Sequence, residues 1–191
     1  MTVSTRNIVI AGALFSVAAW LAGEALYLHA KALVGQRLLV AAWHQAQRDG
    51  TRAQPWPWAD THPVARLSVP ALGIDQIILA GANGRTLAWG PGHVESTAKP
   101  GLSGNAVVTA HRDTHFGFLP RLAIGEIVVV ETASRTKRRY RVERRFVADH
   151  RALRLPADED VTTLSLVTCY PFDAIDPDTP LRYAVIARAV D

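Results

Sequence analysis

Residues 8–28 read IVIAGALFSVAAWLAGEALYL, an apolar run of 21 residues whose only formal charge is Glu24. As a helix rising about 1.5 Å per residue the run is about 31 Å long, enough to cross a hydrocarbon core of about 30 Å. It is therefore read as a single-pass transmembrane helix. A cleaved signal peptide is the rival reading, because Arg6 precedes the run and the small residues Ala22 and Ala25 lie near its end. The run is longer than a signal h-region and carries no clear cleavage pattern, so a retained anchor is expected. Glu24 sits within about one turn of the run's end, where its carboxylate can reach the interface. Arg6 on one side is balanced by Lys31 and Arg37 on the other, so flanking charge does not orient the helix.

The chain of 191 residues is 49% hydrophobic and 20% charged, with 13 Gly and 11 Pro, which excludes disordered, collagen-like and low-complexity classes. One globular domain behind the anchor fits this length. A single Cys excludes an intramolecular disulfide framework and every multi-thiolate zinc site. A formal net charge of +4 is too modest to indicate nucleic acid as a partner, and none is expected.

Behind the run, Leu33, Val34, Leu38, Leu39, Ala42 and Trp43 recur at helical spacing and extend the helix to about Gln47, as a stalk. Residues 48–63 hold three Pro and two Trp and read as a linker. The expected organisation is an N-terminal stub and membrane helix over 1–30, a juxtamembrane helix and linker over 31–63, and a globular domain over 64–191. In that domain short β-branched segments alternate with turns, and strands are expected at 65–69, 74–79, 105–110, 126–131, 137–147, 162–169 and 182–190. No helix of comparable strength interrupts them, so the fold class is mostly β, a closed barrel of about eight strands with short helices. Residues 135–145 carry seven basic residues and one acid. With Tyr140, Val142 and Phe146 on one strand parity and Arg139, Arg141, Glu143 and Arg145 on the other, they read as a half-buried hairpin with a solvated basic face.

Three residues in this domain carry reactive chemistry at strand ends. Cys169 ends the strand TTLSLVTC and opens a Pro-rich loop, His111 closes NAVVTAH, and Arg182 opens the last strand. A thiol nucleophile needs a proton acceptor and a group for the oxyanion, and His and Arg can supply them. Alone, Cys169 reads equally as a small buried hydrophobe.

Residues 163–172, TLSLVTCYPF, resemble the nucleophile motif of the sortases, membrane-anchored cysteine transpeptidases, with Ser165 where that motif has its first Thr. Residues 100–126 resemble the stretch that carries the sortase histidine, with Ala110 where Gly is usual, and Arg182 matches the arginine of a strand of the form Arg-Tyr-x-Val-x-Ala. The order His, Cys, Arg and the gaps of 58 and 13 residues also fit. The Cys-Tyr-Pro-Phe continuation most resembles the sortases of Gram-negative bacteria, class GN. The resemblance spans 64–190 and implies a sortase-like barrel and a cysteine transpeptidase or peptidase of the hydrolase class. Cys169 would be the nucleophile, His111 the general acid and base, and Arg182 the oxyanion or positioning group, with Thr168 binding substrate. It implies as partners an exported protein with a C-terminal Leu-Pro-x-Thr-Gly-like (LPxTG-like) signal and an amine acceptor. The chain would be held in the cytoplasmic (inner) membrane, with the catalytic domain on the periplasmic side.

Other residues are read more plainly. His115 is a loop residue near the site, and His93, a weaker candidate base, is read as a surface turn residue; without an HExxH pattern the four-residue spacing of His111 and His115 does not indicate zinc. Asp173, Asp176 and Asp178 do not match an EF-hand loop, so they are expected to be solvated rather than to hold calcium, and no cofactor is expected. Arg188 shares the parity of Arg182 but lies about 20 Å along the strand at about 3.3 Å per residue, outside reach of the same site. Trp56, Trp58 and Trp89 are expected to anchor the linker to the barrel. The Cys-before-His order of papain-like enzymes, the Ser-His-Gly-Cys cluster of L,D-transpeptidases and a C-x-x-C pair are all missing. Two alternatives stay open: a membrane-tethered binding module of this fold without catalysis, and a cysteine peptidase that resolves its acyl-enzyme with water.

Overall fold

A computed structural model describes residues 5–176 and 179–190, the side chains of Thr5, Arg6 and Ile8 excepted. The chain falls into two compact units divided between Arg37 and Leu38. The first unit is the leading part of one long helix, α1 (Thr5–Asp49). Leu14, Phe15, Val17, Trp20, Leu21 and Leu26 all stand exposed on it. A helix saturates its own backbone hydrogen bonds, and a lipid environment removes the cost of such an apolar surface. Among the described residues this is the helix long and apolar enough to cross a membrane.

In the second unit the last turns of α1 bury Leu39, Ala42, Trp43 and Ala46, spaced i, i+3, i+4 and i+7 on one stripe. Leu39 and Trp43 pack against Ile77 and Leu79, with Trp56 and Trp89 at the edge, while Ala42 and Ala46 meet Ala53. The stretch expected to be a plain stalk is thus a packed element, because its stripe matches the apolar wall of a strand. Trp56 and Trp89 anchor the linker as expected, their ring centroids 4.8 Å apart. Trp58 does not, being 82% exposed.

The barrel comprises β1 (Pro63–Val69), β2 (Ile74–Ala80), β3 (Gly92–His93), β4 (Asn105–Thr109), β5 (Ile127–Thr132), β6 (Lys137–Asp149), β7 (Thr163–Tyr170) and β8 (Leu181–Val190). It closes in the order β1-β2-β3-β4-β7-β8-β6-β5. β2 and β3 run parallel, as do β4 and β7. Alternating residues fill the interior: Ala65, Leu67 and Val69 from β1, Val128 and Val130 from β5, and Leu164 and Leu166 from β7. The seven expected strands are all present. The eighth, β3, has two residues, too few to show an alternating pattern. A Cβ on Gly92 would lie 2.3 Å from the Gly81 carbonyl oxygen, so only glycine lets β3 come this close to the chain leaving β2. His93 in β3 is no surface turn residue: it is 4% exposed and its Nε2–H donates to the Ala98 carbonyl at 2.9 Å.

β6 departs from simple alternation. Its pairing with β8 slips between Val142 and Arg144, so two residues oppose one and parity reverses. Tyr140 and Val142 face the interior, whereas Phe146, expected on their face, packs outside with Val107, Val167 and Ala184. Leu153 and Leu155 cover that outer cluster. β4, β7 and β8 are therefore buried on both faces in their middle, which is why NAVV and LSLV read as nearly continuous apolar runs.

Candidate active site

β7 carries Cys169 beyond its doubly buried centre. Leu164, Leu166 and Thr168 point to the interior, and Val167 and Cys169 to the outer face. In the β7–β8 register Cys169 lies directly opposite Arg182, as Val167 lies opposite Ala184. Facing residues of an antiparallel pair have Cβ atoms about 4.5–5.5 Å apart on one face. The two residues thus adjoin across the strand pair, both half-buried, above an apolar floor.

The third residue arrives from β4. Thr109 pairs with Val167, and the Ala110 amide still donates to the Val167 carbonyl at 3.4 Å. His111 follows as the chain turns away from β7, two residues beyond the last β4–β7 pair, as Cys169 is on β7, so both lie at one rim. The His111 imidazole is exposed, and its carbonyl accepts from the Phe116 amide at 3.0 Å, closing the turn that follows. Thr168, expected to meet substrate, instead points inward at 1% exposure, and its hydroxyl donates to the Ala110 carbonyl at 2.7 Å. An inward parity leaves that hydroxyl no solvent, and it ties the residue before Cys169 to the residue before His111.

His115 lies in the turn after His111, half-buried, and its carbonyl accepts from Gln76 Nε2 at 2.8 Å. Burial, and then the nearby His111, hold its imidazole below the usual 6.5, so neutral His115 is favoured beside the rim. Tyr170, Phe172 and Tyr183 cluster by the same rim, with centroids 5.3–6.3 Å apart. Arg188 pairs with Arg141 at the other end of β8 and bridges Glu143 at 3.4 Å, away from Cys169. Asp173 and Asp176 are exposed on the loop after Cys169; Asp178 lies outside the described residues. Among the described residues no three His, Cys, Asp or Glu side chains converge as a metal-holding group.

Two features were not anticipated from sequence, one at the site and one toward the other end of β4. Arg112, beside His111, is only 9% exposed and bonds to the loop after Cys169. A cleft of about 570 Å³ runs between Asn105 and Val107 of β4 and Leu155–Glu159 of the β6–β7 connection. Neither has a local signature, since each is made by segments some fifty or more residues apart in sequence.

Comparison with known proteins agrees with this fold. The sortase domain family matches residues 67–190. Among solved structures, sortase A of Corynebacterium diphtheriae is 24% identical with a TM-score of 0.63, covering 70% of this chain and 63% of that one. Sortase C1 of Streptococcus agalactiae, in complex with MTSET, is 26% identical with a TM-score of 0.60, covering 68% of each chain. The Clostridium perfringens sortase D5 transpeptidase is 20% identical with a TM-score of 0.66, covering 83% of this chain and 99% of that one. The likeness to the first and third is one of fold, and this chain spans 63% of the length of the diphtherial enzyme. No curated protein matches. With the family matched over nearly all of the barrel, from within β1 to the last strand, the chain belongs to the sortases.

Proposed function

We propose that this sortase cleaves an LPxTG-like sorting signal of an exported protein and transfers it to an amine. The observation that carries the reading is the cross-strand pairing of Cys169 with Arg182 beside the point where His111 leaves β4. Cys169 thiolate attacks the carbonyl carbon of the Thr–Gly-like bond, and the carbonyl oxygen becomes an oxyanion facing Arg182. His111 gives a proton to the leaving amine as the tetrahedral intermediate collapses to a thioester. It then takes a proton from the incoming amine, whose attack releases Cys169 and forms the new amide. Atoms and charge balance without any cofactor.

The apolar floor under Cys169 offers apolar side chains of the signal a surface beside the nucleophile. An exported substrate and an exposed apolar helix together favour a domain on the periplasmic face of the inner membrane. The Cys-Tyr-Pro-Phe continuation at 169–172 supports the class GN assignment.

The test is to incubate the full chain in detergent micelles with LPxTG-type peptides and triglycine, following peptide and protein by mass spectrometry. A thioester on Cys169 and a triglycine-coupled product, both lost in Cys169→Ala, are expected. Hydrolysed peptide as the sole product at saturating triglycine would assign the enzyme to the peptidases. No adduct across a peptide library on folded, reduced protein would leave the binding-module reading.

A further inference from the structure

Arg112 is buried and charged, and burial of a guanidinium is costly unless its donors are satisfied. Its Nη2 donates to the carbonyls of Ala174 at 2.8 Å and Asp176 at 2.6 Å, and its Nη1 to the Thr179 hydroxyl at 3.1 Å. All three partners belong to the connection between β7 and β8, which joins Cys169 to Arg182. Thr179 is held from its other side as well, because its carbonyl accepts from Arg182 Nη1 at 2.6 Å. One residue therefore receives two guanidinium groups, one from the residue after His111 and one from the residue facing Cys169. A planar guanidinium can span three acceptors at once, whereas an ammonium on a flexible stem cannot hold the same fork.

From this node we infer that Arg112 is a positioning residue for acyl transfer: it fixes the β7–β8 connection so that the Thr179 carbonyl aims Arg182 at the rim. The inference rests on the transfer reading above. Arg112 touches no reacting atom, and it acts on the reaction only through Arg182.

The experiment uses the full chain in micelles, an LPxTG-type peptide and triglycine, with Arg112→Gln, Arg112→Lys, Thr179→Val, Arg182→Ala and the Arg112→Gln/Arg182→Ala double variant. Arg112→Gln is expected to lower kcat about 10- to 100-fold, the scale set by misplacing a catalytic group by about 1 Å, with KM little changed. Arg112→Lys should recover only part of this, and Thr179→Val should show a smaller loss of the same kind. Alkylation of Cys169 by iodoacetamide, which needs no Arg182, should stay at the wild-type rate. In the Arg182→Ala background Arg112→Gln should cost almost nothing further, since the residue it positions is gone. Hydrogen exchange of the β7–β8 connection should quicken in Arg112→Gln. Should that variant fail to fold, Thr179→Val, which removes a single hydroxyl, carries the same comparison.

Wild-type kcat in Arg112→Gln, or an undiminished further loss in the Arg182→Ala background, overturns the positioning role while the enzyme remains a transferase. A wild-type protein that forms no thioester overturns the transfer reading, and the positioning role with it.

Discussion

At the scale of single residues, the candidate site is a meeting of strand ends held by hydrogen bonds from neighbouring residues. Thr168 illustrates this: its buried hydroxyl bonds to the Ala110 carbonyl across the parallel β4–β7 pair. Thr168→Val keeps the shape and leaves that carbonyl without the bond, so it should lower stability by about 1 kcal/mol, read as a shift in denaturant midpoint. If β7 and the His111 turn are registered through this bond, kcat should fall in the same variant. Arg182→Lys should lose more activity than its retained charge suggests. The Nη1 bonds to Thr179 and Leu181 carbonyls at 2.6 and 2.9 Å leave the remaining guanidinium nitrogens to face the rim, a division of labour that one ammonium cannot reproduce. A steady-state comparison of Arg182→Lys with Arg182→Ala checks it; equal activity of Arg182→Lys and wild type would mean that charge alone suffices. Cys169, His111 and Arg182 could be proposed from sequence because each lies at or just beyond a strand end within a local motif. Arg112 was not, because its partners lie 62 to 67 residues further along the chain.

Among the elements, α1 and β6 show where pattern and packing part. The stripe Leu39, Ala42, Trp43 and Ala46 was visible as periodicity, yet nothing local said whether lipid, solvent or protein would cover it. Trp43 is 1% exposed against Ile77 and Leu79, so Trp43→Ala should cost about 3–5 kcal/mol of the stability of the second unit. Its indole N–H has no hydrogen-bond partner among the described residues, so Trp43→Phe forfeits volume alone and should cost much less. Chemical denaturation followed by circular dichroism separates these, and a neutral Trp43→Ala would mean that α1 does not pack there in solution. In β6 a single extra residue sends Phe146 to the outer cluster, a displacement that strict alternation cannot anticipate.

For the whole molecule the relevant properties are anchoring and response to pH. Deleting residues 1–37 removes the exposed apolar helix and should leave a soluble, folded domain, because Leu39 and Trp43 remain. Deleting residues 1–53 strips that cover from Ile77 and Leu79 and should lower the thermal midpoint or cause aggregation. Comparing the two truncations by scanning calorimetry decides the matter; equal midpoints would show the α1 packing to be dispensable. His62, His93 and His115 are all held below their ordinary 6.5, first of all by burial, opposed at His93 by its bond to the Ala98 carbonyl. The unfolded chain therefore binds protons that the folded one resists. Stability should hold above about pH 6.5 and fall as pH drops below it toward the lowered folded values. His93→Gln, which keeps a donor for Ala98, should flatten that decline in thermal melts between pH 7 and pH 5.

The apolar run, the strand-rich domain and the Cys, His and Arg motifs were determined by the sequence itself, because each is written in neighbouring residues through a period, a length or a spacing. Hydrophobic repetition every two or every 3.6 residues is a local property and survives without knowledge of the fold. Tertiary structure alone decided that the outer faces of β4, β7 and β8 are buried and that α1 covers β2. It also decided that two arginines converge on Thr179. Those features depend on barrel closure, which brings together segments far apart in the chain, and no local pattern encodes which of them will meet.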